Sequence, residues 1–309
     1  MRSLGFTLLE LLVVVFLLSA IALSGVAVVD EFDNQSRYDQ TRSRLMQLRA
    51  GIVGADGSWT VRGFVADNGA LPADIETLLR RPASLAAFGA ARAPTFKANG
   101  AVGDITLNSL PLAKGWRGPY LVAGATRDPG SASFRDGWSN RNALDVDDAL
   151  FHGWSAFTPS DEPLLLRSHG ANGVPDSDPG SVADYDGDLI MPIVASDWSG
   201  SAAELVVTAS NLTGQNQGMR AVLLVWIADD WIRINGDRVI AGADTTVTLP
   251  LPDATVPIGT HLVVLVDEAN DIAGDGEAPY GHASGAPPIA ARVTFAPRTP
   301  PKPVSWEVR

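Results

Sequence analysis

The chain has 309 residues and a formal net charge of -12 at pH 7, a balance that disfavours binding along the phosphates of a nucleic acid. It contains no cysteine, which excludes disulfides, zinc–thiolate sites and thiol catalysis. Its length exceeds that of one small domain and fits an anchor segment followed by two modules of ordinary size.

The first thirty residues contain the most distinctive stretch. Between Leu11 and Val29 no residue is charged, and Leu, Val, Ile and Phe dominate. As a helix, such a segment is long enough to cross a hydrocarbon core of about 30 Å, and Arg2 in front of it favours a cytoplasmic amino terminus. A secretory signal peptide is the competing interpretation, but the run is too long and no small-residue cleavage pattern follows it. The sequence therefore predicts a membrane-spanning helix with Glu10 near its start.

The segment Gly5-Phe6-Thr7-Leu8-Leu9-Glu10 resembles the start of type IV prepilins and of type II secretion pseudopilins. In that family a basic leader ends in Gly, the mature chain begins with Phe, and Glu is its fifth residue. The resemblance implies that prepilin peptidase cuts between Gly5 and Phe6 and methylates the new amino terminus. It also implies that the amine of Phe6 pairs with Glu10 of a neighbouring subunit and sets the register of a filament. A simple membrane anchor with an incidental glutamate is the alternative.

The helix is expected to continue into water beyond the apolar run. Apolar residues recur there at approximately helical spacing among several arginines, which predicts one stripe that packs on a globular head. This stripe comprises Phe32, Leu45, Leu48, Ile52 and Val53. A break is predicted at Gly54-Ala55-Asp56-Gly57. Residues 1–5 are thus the predicted leader and residues 6–56 the transmembrane and amphipathic helix.

Three later motifs resemble segments of major pseudopilins and occur in the same order. The first, at residues 67–72 (Asp-Asn-Gly-Ala-Leu-Pro), resembles their Asp-Asn-Gly-x-x-Pro turn. The second, at residues 115–121 (Gly-Trp-Arg-Gly-Pro-Tyr-Leu), resembles their Trp-x-Gly-Pro-Tyr-Leu segment. The third, at residues 136–140, resembles their Asp-Pro-Trp-Gly-Asn turn, with Gly137 and Ser139 in place of Pro and Gly. Residues 57–198 are therefore predicted to form a pseudopilin-like head with a small β-sheet.

An acidic stretch at the end of this head is a candidate calcium site. Five Asp and one Arg lie between Leu164 and Ile190, and Ca²⁺ accepts six to eight such oxygen ligands. Residues 168–173 (Ser-His-Gly-Ala-Asn-Gly) resemble the calcium loop of major pseudopilins, with Asn in place of the usual Asp. A solvated acidic loop without metal is the alternative. The candidate ligands of a structural Ca²⁺ are Ser168, Asn172, Asp184, Asp186 and Asp188.

Residues 199–309 are predicted to form an all-β sandwich. Short segments rich in Val, Ile, Leu and Thr alternate there with Gly, Asn, Asp and Pro. Asn235-Gly236 between two apolar runs predicts a two-residue hairpin. Three tryptophans, Trp226, Trp231 and Trp306, are expected in the sandwich core rather than in a platform that binds sugar or protein.

Enzymatic function has little support. The four histidines have no metal-ligand spacing, and no Gly-x-Ser-x-Gly, phosphate loop or dinucleotide fingerprint is present. The chain is therefore predicted not to be an enzyme.

The combined prediction is an α+β fold, in which a long N-terminal transmembrane and amphipathic helix packs on a small β-sheet head and an all-β sandwich follows. By resemblance, the chain is a structural subunit of a type II secretion pseudopilus or type IV pilus-like filament. It is expected to cross the bacterial inner membrane once, with its C-terminal domains in the periplasm. Expected partners are other copies, prepilin peptidase, other pseudopilins and the inner-membrane assembly platform. The alternatives are a minor, tip or adhesive pilin whose sandwich binds glycan or protein, and a membrane-anchored binding protein that never polymerises.

Overall fold

The computed structural model describes most of the chain in segments. The described residues are 8–54, 62–89, 95–96, 105–106, 112–125, 132–176, 185–228, 230–267, 278–279 and 289–309. Only the backbone is described for residues 21–28, 95–96, 105–106, 124–125, 132, 267 and 278–279. The helices are α1 (Leu8–Val53), α2 (Phe64–Asn68), α3 (Glu76–Leu79), α4 (Asp145–Phe151) and α5 (Ala195–Trp198). The strands of the head are β1 (Thr95–Phe96), β2 (Ile105–Thr106), β3 (Gly124–Ala125), β4 (Ala132–Ser133), β5 (Leu164–Ser168) and β6 (Leu189–Ile193).

The remaining strands belong to the C-terminal part. They are β7 (Ser199–Ser201), β8 (Val207–Asn211), β9 (Gln217–Ile227), β10 (Asp230–Asn235), β11 (Val239–Ala241), β12 (Thr245–Thr248), β13 (Thr255–Pro257), β14 (Gly259–Asp267), β15 (Ala278–Pro279), β16 (Ala290–Phe295) and β17 (Val304–Val308).

Helix α1 is a single element of 46 residues, about 70 Å long at the usual rise per residue. It ends at Val53, because Gly54 has a φ of 93° and its amide bonds the carbonyl of Ala50. The predicted stripe is confirmed at Leu45, Leu48, Ile52 and Val53, which are buried in the head core. Phe32 is an exception, since its side chain is exposed.

The predicted membrane span is contradicted. In the part of the chain that the structure describes, no helix is both long enough and apolar enough to cross a membrane. From Asp30 onward the helix carries charged residues. The same finding contradicts the prediction that the chain crosses the bacterial inner membrane once.

The predicted fold class is also wrong. Apart from α1, the described helices have four to seven residues, and most other regular structure is β. The predicted small sheet of the head is replaced, in the described segments, by separate pairs β1–β2, β3–β4 and β5–β6. The physical reason is that polar side chains hydrogen-bonded to backbone, rather than one continuous strand ladder, join the segments of the head.

The C-terminal part packs one sheet on another. One sheet has the order β10-β9-β14-β15, with β11 also paired to β9 and β16 to β14, and the other has the order β12-β8-β17. Their facing side chains form one core, which includes Met219, Leu223, Val263 and Phe295.

Strands β9 and β14 are buried on both faces. The face turned away from the sandwich core carries Val222, Leu224, Leu262 and Val264, which pack with Leu112 from the head segment. Burial on both faces explains why these two strands are continuous apolar runs rather than alternating ones. The outer faces of β9 and β14 are therefore internal surfaces of the protein.

The hairpin predicted at Asn235-Gly236 is wrong. Strands β10 and β11 both pair with β9, in registers Asn235↔Val222 and Val239↔Met219, instead of pairing with each other. The amide of Gly236 bonds the carbonyl of Ala221, so the Asn-Gly pair interrupts one edge of the sheet without reversing it. The actual hairpin is formed by β9 and β10, which pair antiparallel, and Ala228 directly after β9 has a φ of 46°.

Candidate functional site

The projecting part of α1 is the candidate functional element. Every described side chain from Leu8 to Ala20 is exposed, with Leu8 at 84 % and Phe16 at 69 %. These apolar side chains lie on all sides of the helix. Glu10 lies among them in the first turn and is also exposed. The predicted processing residues Gly5 and Phe6 lie outside the described residues.

The second half of α1 is fixed to the head by polar contacts as well as apolar ones. The hydroxyl of Thr41 is buried and accepts a 2.8 Å hydrogen bond from the amide of Gly137. Arg44 donates to the backbone carbonyls of Arg135 and Asp136. Burial lowers the pKa of the Arg44 guanidinium, partly offset by the nearby charge of Asp136. Two bonded side chains on one face of α1 thus fix the third motif against it.

The third motif is bound to the start of the predicted calcium loop. The Asp136 carboxylate is buried and accepts from the Ser168 hydroxyl at 2.7 Å. It also accepts from the backbone and side-chain amides of Asn140 at 3.0 and 2.8 Å. The Asn140 side chain further donates to the carbonyl of Gly170 at 2.8 Å. These bonds form one closed polar cluster at Asp136.

The first and second motifs meet in a second polar cluster. Arg117 donates to both carboxylate oxygens of the buried Asp67, through Nε at 3.1 Å and through Nη2. The Tyr120 hydroxyl donates to Asp67 at 3.0 Å, and burial raises the pKa of that phenol. Asn68 donates to the carbonyl of Phe64 and to the Tyr120 oxygen. The Asp67 carboxylate therefore holds two motifs together that are about fifty residues apart.

A solvent-open cavity of about 240 Å³ lies beside the Asp67 cluster. Arg62, Asp67, Arg117 and Tyr120 line it together with backbone from α1. Arg117 and Tyr120 are already hydrogen-bonded to Asp67, so these groups act on each other rather than on a substrate. The cavity is therefore a gap where α1 packs on the head.

The structure describes four of the five predicted calcium ligands, and three of them, Ser168, Asn172 and Asp188, contact other groups of the protein. The Ser168 hydroxyl points to Asp136, and the Asn172 side-chain oxygen accepts from the amide of Val174 at 2.8 Å. Asp186 is partly buried, and Asp184 lies outside the described residues. Among the residues that the structure describes, no group of three or more His, Asp and Glu could hold a metal ion. Calcium binding stays a prediction.

Asp188 has partners of its own. Its side chain is fully buried, with Arg167 Nη1 and His169 Nδ1 each 3.4 Å from its carboxylate oxygens. Asp188 and Asp176 also exchange hydrogen bonds, each backbone amide donating to the other's carboxylate at 2.7 and 3.2 Å. The Asp188 carboxylate therefore lies beside an arginine and a histidine. Tyr185, from the same loop, donates to Glu31 of α1 at 2.9 Å.

The joint between head and sandwich is a feature that the sequence analysis missed. Asp197 of α5 is buried, and one of its oxygens lies 3.2 Å from Arg49 of α1 and 2.7 Å from Arg298, which follows β16. A single carboxylate thus binds one arginine from each part of the protein. No motif surrounds Asp197, and the three residues are far apart in the chain, so no sequence pattern indicated this contact.

Two buried titratable groups lie at the same joint. Lys114 is buried and donates to the carbonyl of Ala66 at 2.7 Å; burial lowers its pKa to about 8, against the opposing charge of Asp67. His261 on β14 is buried and bonds the carbonyl of Pro257 through Nε2 at 2.8 Å. Burial and the charge of Lys114 lower the pKa of His261 to about 3. The imidazole is therefore neutral at neutral pH and donates from Nε2.

The described histidines and tryptophans have separate structural partners. His152 lies 2.9 Å from a carboxylate oxygen of Glu76. His169 instead lies beside Asp188, and His261 bonds the carbonyl of Pro257. Trp226 is buried and packs edge-on against Trp231 at 5.4 Å between ring centroids, whereas Trp306 lies in the other sheet on β17. The three tryptophans do not form one platform.

Comparisons with known proteins add no identification. No protein-family model matches the chain, no curated protein is significantly similar to it, and no solved structure matches it. The pilin-like resemblance is therefore carried by the motifs alone.

Proposed function

We propose that this chain is a pilin-like structural subunit of a type II secretion pseudopilus or type IV pilus-like filament. In this proposal, prepilin peptidase removes residues 1–5, and mature copies assemble through the projecting part of α1. The work of the protein is then mechanical, because addition of subunits lengthens a filament.

One observation carries the proposal: exposure changes along a single uninterrupted helix. The described side chains from Leu8 to Ala20 are exposed and mostly apolar, whereas Leu45, Leu48 and Ile52 of the same helix are buried in the head. A helix that is apolar on all sides is stable when other apolar surface surrounds it. The equivalent helices of other copies provide that surface.

The head supports this arrangement mechanically. Polar contacts from Thr41 and Arg44, and the ion pair of Arg49 with Asp197, bind α1 to the head in addition to its apolar stripe. A helix bound in this way transmits an axial force to the head without sliding. The four motifs that resemble pseudopilin segments lie in the two polar clusters that join the head segments.

The adhesive alternative has less support. It needs a binding surface on the sandwich, but Trp306 lies in a different sheet from Trp226 and Trp231, and Trp226 is buried. The outer face of the larger sheet, at Val222 and Leu262, is covered as well. We therefore propose the assembly role first.

Thiol crosslinking tests the proposed assembly, since the natural chain has no cysteine and each introduced thiol is unique. Single variants Val13→Cys, Val14→Cys, Val15→Cys and Phe16→Cys sample all sides of the helix, and a short bis-maleimide links thiols on neighbouring helices. Protein produced with prepilin peptidase should yield covalent dimers from at least one position. Ile240→Cys, whose side chain is exposed on β11, is the control that should not link. Uniformly monomeric product from all four helix positions would contradict the proposal.

A further inference from the structure

Helix α4 presents its apolar side to solvent. Val146, Ala149 and Leu150 are exposed at the spacing that places side chains on one face of a helix, and Val146 is 69 % exposed. The preceding Leu144 is exposed too, and Asp145 borders the same surface. This orientation is the reverse of that of an ordinary surface helix, whose apolar side faces the core.

Specific contacts hold α4 in this orientation. Asp148 faces inward, where Arg135 donates to both of its carboxylate oxygens at 2.8 and 2.5 Å and the amide of Asn142 donates at 2.9 Å. These bonds lower the pKa of Asp148 and keep it ionised. Phe151 at the end of the helix is buried in the head core. The helix therefore cannot rotate to hide Val146 and Leu150 without breaking a paired charge.

The exposed side of α1 has the complementary chemistry. Arg42 and Met46 lie one turn apart and are both exposed, Met46 at 49 %. Ser43 and Gln47 lie on the same side, while Leu45 and Leu48 are turned into the head core. This surface combines an apolar side chain with a cation, whereas the α4 surface combines apolar side chains with an acid.

We infer that the outward face of α4 on one copy docks on the Arg42–Met46 face of α1 on the next copy. Val146 and Leu150 would then pack on Met46, and Asp145 would pair with Arg42. Two α4 faces do not suit each other, because they would bring Asp145 of each copy together, and like charges across an interface are unfavourable. A contact between two different surfaces repeats from copy to copy and generates an open array. The inference rests on the proposed filament and names a surface of the head that takes part in it.

Paired cysteines test this contact. The double variant Met46→Cys/Val146→Cys should give a ladder of covalent dimers, trimers and larger products with a short bis-maleimide, since every copy is then linked on two sides. Either single variant should remain monomeric, because residue 46 meets residue 146 of a neighbour rather than its own equivalent. Ladder formation only in the double variant supports the contact. Dimers from Val146→Cys alone, or a product that stops at dimers in the double variant, would overturn it.

Charge reversal tests the ion pair independently of packing. In the double-cysteine background, Asp145→Arg or Arg42→Asp should each lower the ladder yield about fivefold, because like charges then face each other. Combining the two reversals should restore most of the yield. A role of either residue within its own fold would not produce this rescue. Failure of the combined variant to recover, with thermal stability unchanged, would overturn the pairing.

The crosslinks in the N-terminal helix separate this inference from the proposed function. If the Val13 to Phe16 variants link while Met46 and Val146 do not, the filament proposal stands and the α4 contact is wrong. If none of these positions links, the proposed function itself is contradicted.

Discussion

Arg49 of the long helix and Arg298, which follows β16, bind the same buried oxygen of Asp197, at 3.2 and 2.7 Å. The sandwich is therefore attached to the helix that carries the proposed assembly surface. The joint continues in Ile258, which belongs to the sandwich sequence but packs in the head core. In a filament, each sandwich would consequently be held at a fixed position relative to α1.

Replacing Asp197 should weaken this joint. Asp197→Ala removes the carboxylate and leaves Arg49, which is largely buried, without that ion pair. We expect the free energy of unfolding to fall by about 2 kcal/mol. This is less than the value for fully buried pairs, because Arg298 is mostly exposed. Urea unfolding followed by tryptophan fluorescence measures the change. Glu307→Gln, which alters an exposed ion pair with Arg309, is the control and should change stability little. Equal midpoints for wild type and Asp197→Ala would show that the joint does not depend on this carboxylate.

The turn at Gly69 should tolerate no side chain. Gly69 has a φ of 72°, and a Cβ there would lie 1.9 Å from the carbonyl oxygen of Trp226 in the sandwich. Gly214 has nearly the same φ, 71°, but nothing lies within 4 Å of its Cβ position, so it is a matched control. We expect Gly214→Ala to cost about 1 kcal/mol from backbone strain alone and Gly69→Ala several times that amount. Similar losses for the two variants would mean that the contact between this turn and β9 is absent in solution.

Lys114 should make stability rise with pH in the alkaline range. Its folded-state pKa is about 8 and its ordinary value is 10.5, so between these values the unfolded chain binds more protons than the folded one. The free energy of unfolding therefore increases from pH 8 to 10.5, by an amount on the order of 2 kcal/mol. Thermal melts at half-unit pH intervals measure this rise, and Lys114→Met should flatten it. If the stability of wild type and of Lys114→Met depended on pH in the same way, Lys114 would be solvated rather than buried.

His261 should add a second, acidic dependence. Its pKa is about 3 in the folded protein against an ordinary 6.5, so its contribution to stability is present above pH 6.5 and is lost as the pH falls toward 3. The difference between wild type and His261→Gln isolates this contribution from that of the carboxylates. The difference should shrink steadily below pH 6.5, and a constant difference would contradict burial of the imidazole.

The predicted calcium site has a direct thermal test. If Ca²⁺ binds near Asp184 and Asp188, it stabilises the folded state by mass action, so the melting temperature should rise with added Ca²⁺. Asp184→Asn should reduce that rise, whereas Asp145→Asn, outside the loop, should leave it unchanged. A melting temperature that does not respond to Ca²⁺ in the wild-type protein would remove the site.

The sequence predicted local elements better than their partners. Segments rich in Val, Ile, Leu and Thr correctly predicted β-strands in the C-terminal part, and this signal is strongest in β9 and β14, because these two strands are buried on both faces. The Asn-Gly pair at 235–236 was misassigned, since the edge pairing of β10 and β11 with one long strand depends on tertiary contacts. Likewise, helical spacing alone did not show that the side chain of Phe32 is exposed rather than packed on the head.

For the polar clusters at Asp67 and Asp136, the sequence likewise predicted the motifs but not the contacts between them. The motifs at 67–72 and 115–121, and at 136–140 and 168–170, were recognised as separate turns, but only the fold shows that they meet in pairs at Asp67 and Asp136. Arg49, Asp197 and Arg298 could not be anticipated, because isolated charged residues far apart in the chain carry no local pattern. The outward apolar face of α4 was also missed, since its orientation depends on the bond between Arg135 and Asp148.

The mass of the amino-terminal peptide tests the central proposal most directly. The protein would be produced with and without prepilin peptidase, and the peptide would be identified by mass spectrometry. A pilin-like subunit should begin at N-methylated Phe6 when the peptidase is present and retain Met1 when it is absent. Met1 at the amino terminus under both conditions would contradict processing after Gly5 and, with it, the proposed route to a filament.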